Sequence, residues 1–152
     1  MQFRKIMVPT DFSEESKKAL HSGVELARAA AGEILLVHVM EFMVNPASLG
    51  IGPVLLASQE AELRERLAGA LEAMRTADIP PTVSSRALIL EGRPYREIVQ
   101  AARDHSVDLI VIATRGHTGL KRVVFGSNAE RVVREAPCPV LVVRDTEREP
   151  RR

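Results

Sequence analysis

The chain has 152 residues, of which 45% are hydrophobic and 27% charged, as expected for one globular domain that needs no disulfide to hold its core. The formal net charge of +1 provides no overall field for nucleic acid, and 3% aromatic residues without Trp argue against a base-stacking surface for single strands. The single cysteine, Cys138, excludes an internal disulfide and is expected to be a buried structural thiol in a reducing compartment. The N-terminal segment has too few consecutive apolar residues for a signal peptide, and no apolar run is long enough to span a membrane. We therefore expect a soluble cytoplasmic protein.

Short apolar runs alternate with longer segments of helical period along the chain. The runs predict five strands, at residues 3–8, 33–40, 82–90, 108–113 and 139–144. Ser13 is expected to cap the first helix, with Glu14 and Glu15 in its first turn. A second helix follows the irregular stretch 42–53, carries Leu63 and Leu67 in its apolar stripe, and ends at the prolines 80–81. A third helix follows the turn 92–94, and a short fourth helix covers residues 127–135.

The order of these elements is β-α-β-α-β-α-β-loop-α-β, which predicts a single α/β domain with a doubly wound, mostly parallel sheet and helices on both faces. We place this domain at residues 1–145 and expect the charged tail 146–152 to fray. Ligands of such sheets sit beyond the carboxyl ends of the strands, where the strand order reverses. Residues 9–11 and 113–116, which follow the first and fourth strands, are therefore the expected site.

The segment 110–127 has the parts of a phosphate site. Its apolar run ends in a loop with glycines, hydroxyls and cations, and Gly126 and Ser127 then open a helix. Backbone N–H groups and the helix dipole attract an anion there, and glycine lets it approach the main chain. The segment is neither a Walker A loop nor a Rossmann fingerprint. A capping box from Ser127 to Glu130 would explain its end without any ligand, and spacing alone leaves both interpretations open.

Gly116, nine intervening residues, Gly126 and Ser127 resemble the last part of the signature Gly-x2-Gly-x9-Gly-Ser/Thr, which marks nucleotide binding in the universal stress protein family. The stretches 8–13, 36–39, 108–112 and 136–143 resemble strand ends of that family in the same order, so the likeness covers nearly the whole chain. The resemblance implies an adenine nucleotide alpha hydrolase-like fold with five parallel strands in the order 3-2-1-4-5.

The resemblance also implies where the base and sugar of a nucleotide would lie. Val39 would offer backbone hydrogen bonds to adenine, with Pro9 and Thr10 packing nearby. Asp11 would accept a hydrogen bond from a ribose hydroxyl or from the adenine amino group. The alternative for Asp11 is an Asx-turn ahead of the Ser13 cap. His38, inside a strand, is expected to be a packed imidazole rather than a ligand.

The residues that the resemblance places around the phosphates are Arg115, Gly116, Gly126, Ser127 and Asn128, acting through backbone N–H groups and the Ser127 hydroxyl. Ala113 stands where the family signature has its first glycine. Its methyl group would obstruct the site if the residue had a positive φ or touched a phosphate, and would be harmless if Ala113 ended a β-strand.

These expectations describe an ATP-binding regulatory or stress-response protein in which the ligand alters conformation or partners. Mg²⁺ would bind together with the triphosphate. No carboxylate pair beside the loop marks a dedicated metal site. No arginine finger or water-positioning acid stands out, so we expect slow ATP hydrolysis at most. The alternative is a nucleotide-independent dimeric interaction module, which would follow if Ala113 closed the pocket.

We expect a homodimer in either case, because the last strand is short, apolar and at a sheet edge. The resemblance implies dimers through this strand. The interface residues would be Val140, Leu141, Val142 and Val143.

Overall fold

A computed structural model describes residues 1–41, 53–114 and 125–144 of the chain. The five strands are β1 (Lys5–Pro9), β2 (Glu33–Met40), β3 (Ser84–Glu91), β4 (Leu109–Ala113) and β5 (Val140–Val143). The four helices are α1 (Glu14–Ala30), α2 (Pro53–Asp78), α3 (Pro94–Asp104) and α4 (Ser127–Glu135). Of the expected irregular stretch 42–53, residues 42–52 lie outside the described residues, as does the tail 146–152, whereas Pro53 already begins α2.

All strand pairs are parallel, and the sheet order is β3-β2-β1-β4-β5. The predicted α/β architecture and strand order are therefore confirmed. Strand boundaries differ from the predicted ones by at most two residues: β1 starts at Lys5 rather than at residue 3, and β3 starts at Ser84 rather than at residue 82. The chain is still turning there, because the Val83 N–H donates to the Pro80 carbonyl over 3.0 Å.

Two hydrophobic clusters lie on the two faces of the sheet. One joins alternate residues of β1 and β4 to α1 and α2, and includes Ile6, Leu20, Leu71, Val111 and Ala113. The other joins the intervening strand residues to α3 and α4, and includes Met7, Ile98, Ile110, Ile112 and Val132. Because successive side chains of a strand point to opposite faces, a continuous apolar run fills both layers. The chain thus forms three layers, with the sheet between two helical layers.

Helix α1 lies close against β1, and Gly23 permits this contact. A Cβ atom at Gly23 would stand 2.8 Å from the Val8 Cγ2 atom. The helix begins at the predicted N-cap, since the Ser13 side chain accepts a hydrogen bond from the Ser16 N–H. This contact and the cap together fix the start of α1 beside the carboxyl end of β1.

Cys138 is half-buried and packs against the cluster on the α3/α4 face. Burial raises the pKa of its thiol above the usual value. A thiol with a raised pKa is less reactive, which agrees with the structural role expected for it.

Candidate functional site

A cleft of about 510 Å³ opens at the carboxyl ends of the central strands. The pairing of β1 with β4 ends at Met7 and Ile110, and the two strands separate beyond that point. The chain leaves β1 towards α1 on one face and enters α4 on the other, so the cleft occupies the switch point where ligands of such sheets bind. Eight residues expected from the sequence line it: Pro9, Thr10, Asp11, Val39, Ala113, Gly126, Ser127 and Asn128. The other two, Arg115 and Gly116, lie outside the described residues.

The turn between β1 and α1 is held by a dense set of short polar contacts. Asp11 Oδ1 accepts from the Ser13 N–H at 3.0 Å and from the Ser13 hydroxyl. The Oγ1 atom of Thr10 accepts from the Phe12 N–H at 3.0 Å and lies 2.8 Å from Ser16 Oγ. Thr10, Ser13 and Ser16 are all buried. The contacts therefore hold the Asp11 carboxylate in one orientation at the cleft wall.

These contacts form the Asx-turn that was the alternative interpretation of Asp11. The turn does not by itself prevent a ligand contact, because a carboxylate has two oxygens and about four lone-pair positions. Oδ1 serves the turn. Asp11 is only partly buried and lines the cleft, so the same side chain can shape the turn and face a ligand.

Val39 presents its peptide group to the cleft. The β1–β2 register ends at Pro9 and Val37, and the Thr10 N–H donates to the Val37 carbonyl at 2.8 Å. Peptide groups of alternate residues in a strand point to the same neighbour, so the N–H and C=O of Val39 point towards β1 beyond its last partner. This places one donor and one acceptor side by side at the cleft.

Helix α4 starts at the opposite wall of the cleft. Its first intrahelical bond runs from the Glu130 N–H to the Gly126 carbonyl at 3.0 Å, so the N–H groups of Ser127, Asn128 and Ala129 have no acceptor within the helix. All three residues line the cleft. These donors and the helix dipole make this end of the cleft suitable for an anion.

The alternative interpretation of this segment, a capping box from Ser127 to Glu130, is not what the structure shows. Gly126, and not Ser127, is the N-cap of α4, and it has no side chain with which to cap. The Glu130 carboxylate pairs with Arg134 one turn further along, at 2.8 Å, instead of reaching back to the helix start. The first-turn N–H groups are consequently left without the side-chain cap that would have explained Ser127 without a ligand.

The resemblance implied that the Gly126 N–H would face the phosphates, but the structure uses this N–H within the protein. That N–H donates to the Thr114 carbonyl at 2.7 Å. A Cβ atom on Gly126 would lie 3.2 Å from the same oxygen, which is a close contact. Gly126 thus ties the start of α4 to the end of β4 and leaves the contact with an anion to the three following N–H groups.

Ala113 is the last residue of β4 and pairs with Val143. It is absent from the residues with positive φ. Its side chain belongs to the cluster on the α1/α2 face, whereas α4 lies on the other face. The residue thus ends a β-strand, which is the condition under which its methyl group was expected to be harmless.

Helices α2 and α3 supply apolar walls that the sequence reasoning did not assign to a site. Leu63 and Leu67 of α2 line the cleft together with Ile98 of α3. Both leucines belong to the predicted apolar stripe, but Leu63 is 39% exposed, and α2 joins the core through Leu71 and Met74 further along. Helical spacing alone could not separate these positions, because both pairs lie on the same apolar stripe.

Among the described residues, no group of three His, Cys, Asp or Glu side chains is arranged to hold a metal ion. None of the helices in the described part of the chain is long and apolar enough to cross a membrane.

The fold and the cleft define a doubly wound α/β protein whose ligand site would lie between β1 and β4. The sequence model of the Universal stress protein family matches residues 2–144. The chain therefore belongs to the universal stress protein family, as its motifs indicated.

Similar proteins support this assignment over nearly the whole chain. Universal stress protein MJ0531 of Methanocaldococcus jannaschii is 36% identical over 150 residues, which cover 97% of this chain and 85% of the relative. The solved structure of MJ0577, a universal stress protein of the same organism, is 29% identical and superposes with a TM-score of 0.82 over 95% of this chain and 97% of its own.

Two other proteins of this fold were solved with adenine nucleotides. One universal stress protein is in complex with cAMP, with 21% identity, a TM-score of 0.61 and coverage of 95% of this chain and 98% of its own. The other, from Archaeoglobus fulgidus, is in complex with dAMP, with 22% identity, a TM-score of 0.60 and coverage of 93% and 98%. At these identities the likeness is one of fold.

Proposed function

We propose that the cleft binds an adenine nucleotide, with ATP as the expected ligand, and that the protein acts as a stress-response regulator through this binding. The observation that carries the proposal is the opposite character of the two ends of the cleft. A carboxylate and a peptide edge lie at the ends of β1 and β2, whereas the first-turn N–H groups of α4 lie across from them. A nucleotide has the same division, with a base and sugar at one end and anions at the other.

The base fits the end formed by β2. The N–H and C=O of Val39 can pair with the acceptor and the donor that adenine carries side by side on its edge. Leu63, Leu67 and Ile98 provide apolar surface for the faces of the ring. With the base there, the neighbouring Asp11 carboxylate is placed to accept a hydrogen bond from the sugar.

The phosphates fit the start of α4. Backbone N–H groups at a helix N-terminus bind anions through hydrogen bonds and the helix dipole. The Ser127 hydroxyl and the Asn128 amide can add further hydrogen bonds. The cleft volume of about 510 Å³ falls within the range of roughly 300–1,000 Å³ that is usual for small-molecule sites.

A binding role suits the site better than efficient phosphoryl transfer. That reaction needs a positioned nucleophile and neutralisation of charge beyond a cradle. Asp11 is the carboxylate that the β1–α1 turn brings to the cleft, and its Oδ1 atom is already bonded to Ser13. Slow hydrolysis at most, Mg²⁺ carried in by the triphosphate and a cytoplasmic location are part of the same proposal. The complexes of this fold with cAMP and dAMP indicate that the fold can hold such ligands.

We also propose a homodimer formed through β5. This strand lies at the edge of the sheet beside β4, and an edge strand offers its outer N–H and C=O groups to a second chain. Leu141 is 40% exposed, which a partner strand and its side chains would cover. The same edge favours the second candidate function, a dimeric interaction module that works without a nucleotide.

Two substitutions at Ser127 test the proposed phosphate contact. Ser127→Pro removes the N–H at the first position of α4, where proline is compatible with the helix, and the φ of −68° and ψ of 150° at Gly126 suit a residue before proline. We expect its ATP affinity in calorimetry to fall about tenfold to a hundredfold, as for loss of a hydrogen bond to a charged group. Ser127→Ala is the matched control, because it keeps the N–H, and should lose less. Equal ATP affinity in the wild type and Ser127→Pro would contradict the proposal.

A further inference from the structure

His38 lies in the wall of the cleft, on β2 between Val37 and Val39. Strand alternation places its side chain on the same face as Leu36, which belongs to the cluster under α1 and α2. The residue is half-buried. It therefore stands beside the turn between β1 and α1, although 28 residues separate it from Thr10 in the sequence.

The imidazole makes two contacts with that turn. Its Nδ1 atom lies 2.8 Å from the Thr10 carbonyl oxygen. A carbonyl only accepts hydrogen bonds, so Nδ1 carries a hydrogen and donates it. The ring centroid lies 4.6 Å from that of Phe12, with the planes inclined by 41°, which is within the range of attractive aromatic pairs.

The turn needs such support because Phe12 has a φ of +66°. Bulky side chains rarely adopt this left-handed conformation, and surrounding contacts must maintain it. The internal contacts of Thr10, Asp11 and Ser13 hold the turn from the α1 side. His38 holds it from the β2 side, at both the Thr10 carbonyl and the Phe12 ring.

We propose that His38 is a positioning residue for nucleotide binding: it holds the β1–α1 turn in the conformation that presents the Asp11 carboxylate to the sugar hydroxyls of the ligand. This inference rests on the proposed nucleotide site and assigns a role within it. Loss of the His38 contacts should weaken binding of the sugar, because Asp11 is the side chain that the turn orients. The phosphates, at the start of α4 on the opposite wall, are not coupled to it.

Two variants separate the hydrogen bond from the ring contact. His38→Asn keeps a donor, the amide nitrogen, near the position of Nδ1. His38→Phe keeps an aromatic ring beside Phe12 and removes the donor. Calorimetry should give an ATP affinity for His38→Asn within about twofold of the wild type, and for His38→Phe a loss of about tenfold, the upper range for one hydrogen bond. AMP should show the same loss as ATP.

The ligand 2′,3′-dideoxy-ATP tests the location of the effect. Without sugar hydroxyls it has no partner for Asp11, so His38→Phe and the wild type should bind it equally. The control His21→Asn changes an imidazole on α1 that pairs with Asp78 at 3.5 Å, and it should bind both ligands like the wild type. Unchanged ATP affinity in His38→Phe, an equal loss in His38→Asn, or an equal loss for the dideoxy ligand would overturn the inference.

A measurement without ligand keeps this test separate from that of the nucleotide site. In the free protein, His38→Phe should speed the hydrogen exchange of the Phe12 and Ser13 amides, which donate within the turn, whereas His38→Asn should leave both exchange rates close to those of the wild type. Unchanged exchange at both amides in His38→Phe would refute the positioning role whether or not ATP binds. Failure of the wild-type protein to bind ATP would instead refute the proposed function.

Discussion

Replacing Ala113 with glycine restores the residue that the family signature has at this position, and the structure predicts that this restoration brings no gain in nucleotide affinity. The methyl group of Ala113 lies in the cluster on the α1/α2 face, and the residue has ordinary strand geometry at the end of β4. The proposed phosphate contacts lie on the other face, at the start of α4. Removing the methyl group therefore takes away core contact without widening the phosphate end.

The expected cost of Ala113→Gly is one of stability. Ala113 is 9% exposed, so nearly the full value of one buried methyl group, about 0.8 kcal/mol, is lost. Glycine inside regular structure costs roughly a further 0.5–1 kcal/mol through the entropy of the unfolded chain. We expect the free energy of unfolding to fall by about 1.5 kcal/mol, which corresponds to a melting temperature lower by about 3–6 °C for a domain of this size.

Denaturant titration and ATP calorimetry on the same preparations measure both quantities. Ala87→Gly is the matched control, because Ala87 is half-buried in β3 and packs against the same cluster. Both variants should lose stability and keep the wild-type ATP affinity within about twofold. Ala113 lines the cleft, but its methyl group packs in the cluster on the α1/α2 face, and Ala87 is not among the described residues that line the cleft. A tenfold gain in ATP affinity for Ala113→Gly would show that the methyl group obstructs the ligand, contrary to this prediction.

Three further predictions concern other parts of the molecule. The hydrogen bond that Tyr95 accepts from Arg96 at 3.0 Å lowers the pKa of this phenol, so ultraviolet titration of the only tyrosine in the chain should show ionisation below the usual value of about 10, and Arg96→Gln should raise it. Because the phenol has a lower pKa in the folded state, it adds stability at pH values above its unfolded-state pKa and loses that contribution as the pH falls through its folded-state pKa. An unchanged titration in Arg96→Gln would exclude the Arg96 hydrogen bond as the cause of the lowered pKa. Leu141→Lys should yield monomers in sedimentation at concentrations where the wild type is a dimer, and an unchanged dimer would remove the β5 interface. Gly23→Val should lower the free energy of unfolding by about 1–3 kcal/mol through overpacking against Val8, and wild-type stability would show that α1 can move away from β1.

The fold could be predicted because each element has its own local signal. Buried parallel strands read as continuous apolar runs, such as residues 109–113, and the Ser13 cap marks the start of α1. The strand order came from the family resemblance, since local patterns contain no information on which strands are neighbours. The sheet of the structure has the strand order that the resemblance implied.

The site could be predicted only in part, because several of its features depend on distant contacts. Whether Ala113 matters depends on the face to which its methyl group points, and whether Glu130 caps α4 depends on competition with Arg134. The exposure of Leu63 depends on where α2 passes the edge of the cleft. His38 contacts Thr10 through the pairing of β2 with β1. None of these is encoded in local spacing.

A titration of the purified protein with ATP, together with mass spectrometry of any nucleotide it carries, tests directly whether the cleft binds an adenine nucleotide. We expect saturable binding of one adenine nucleotide per chain, displaced by other adenine nucleotides. Absence of a bound nucleotide and of any binding heat at millimolar ATP would exclude the proposed nucleotide site and favour the nucleotide-independent dimer.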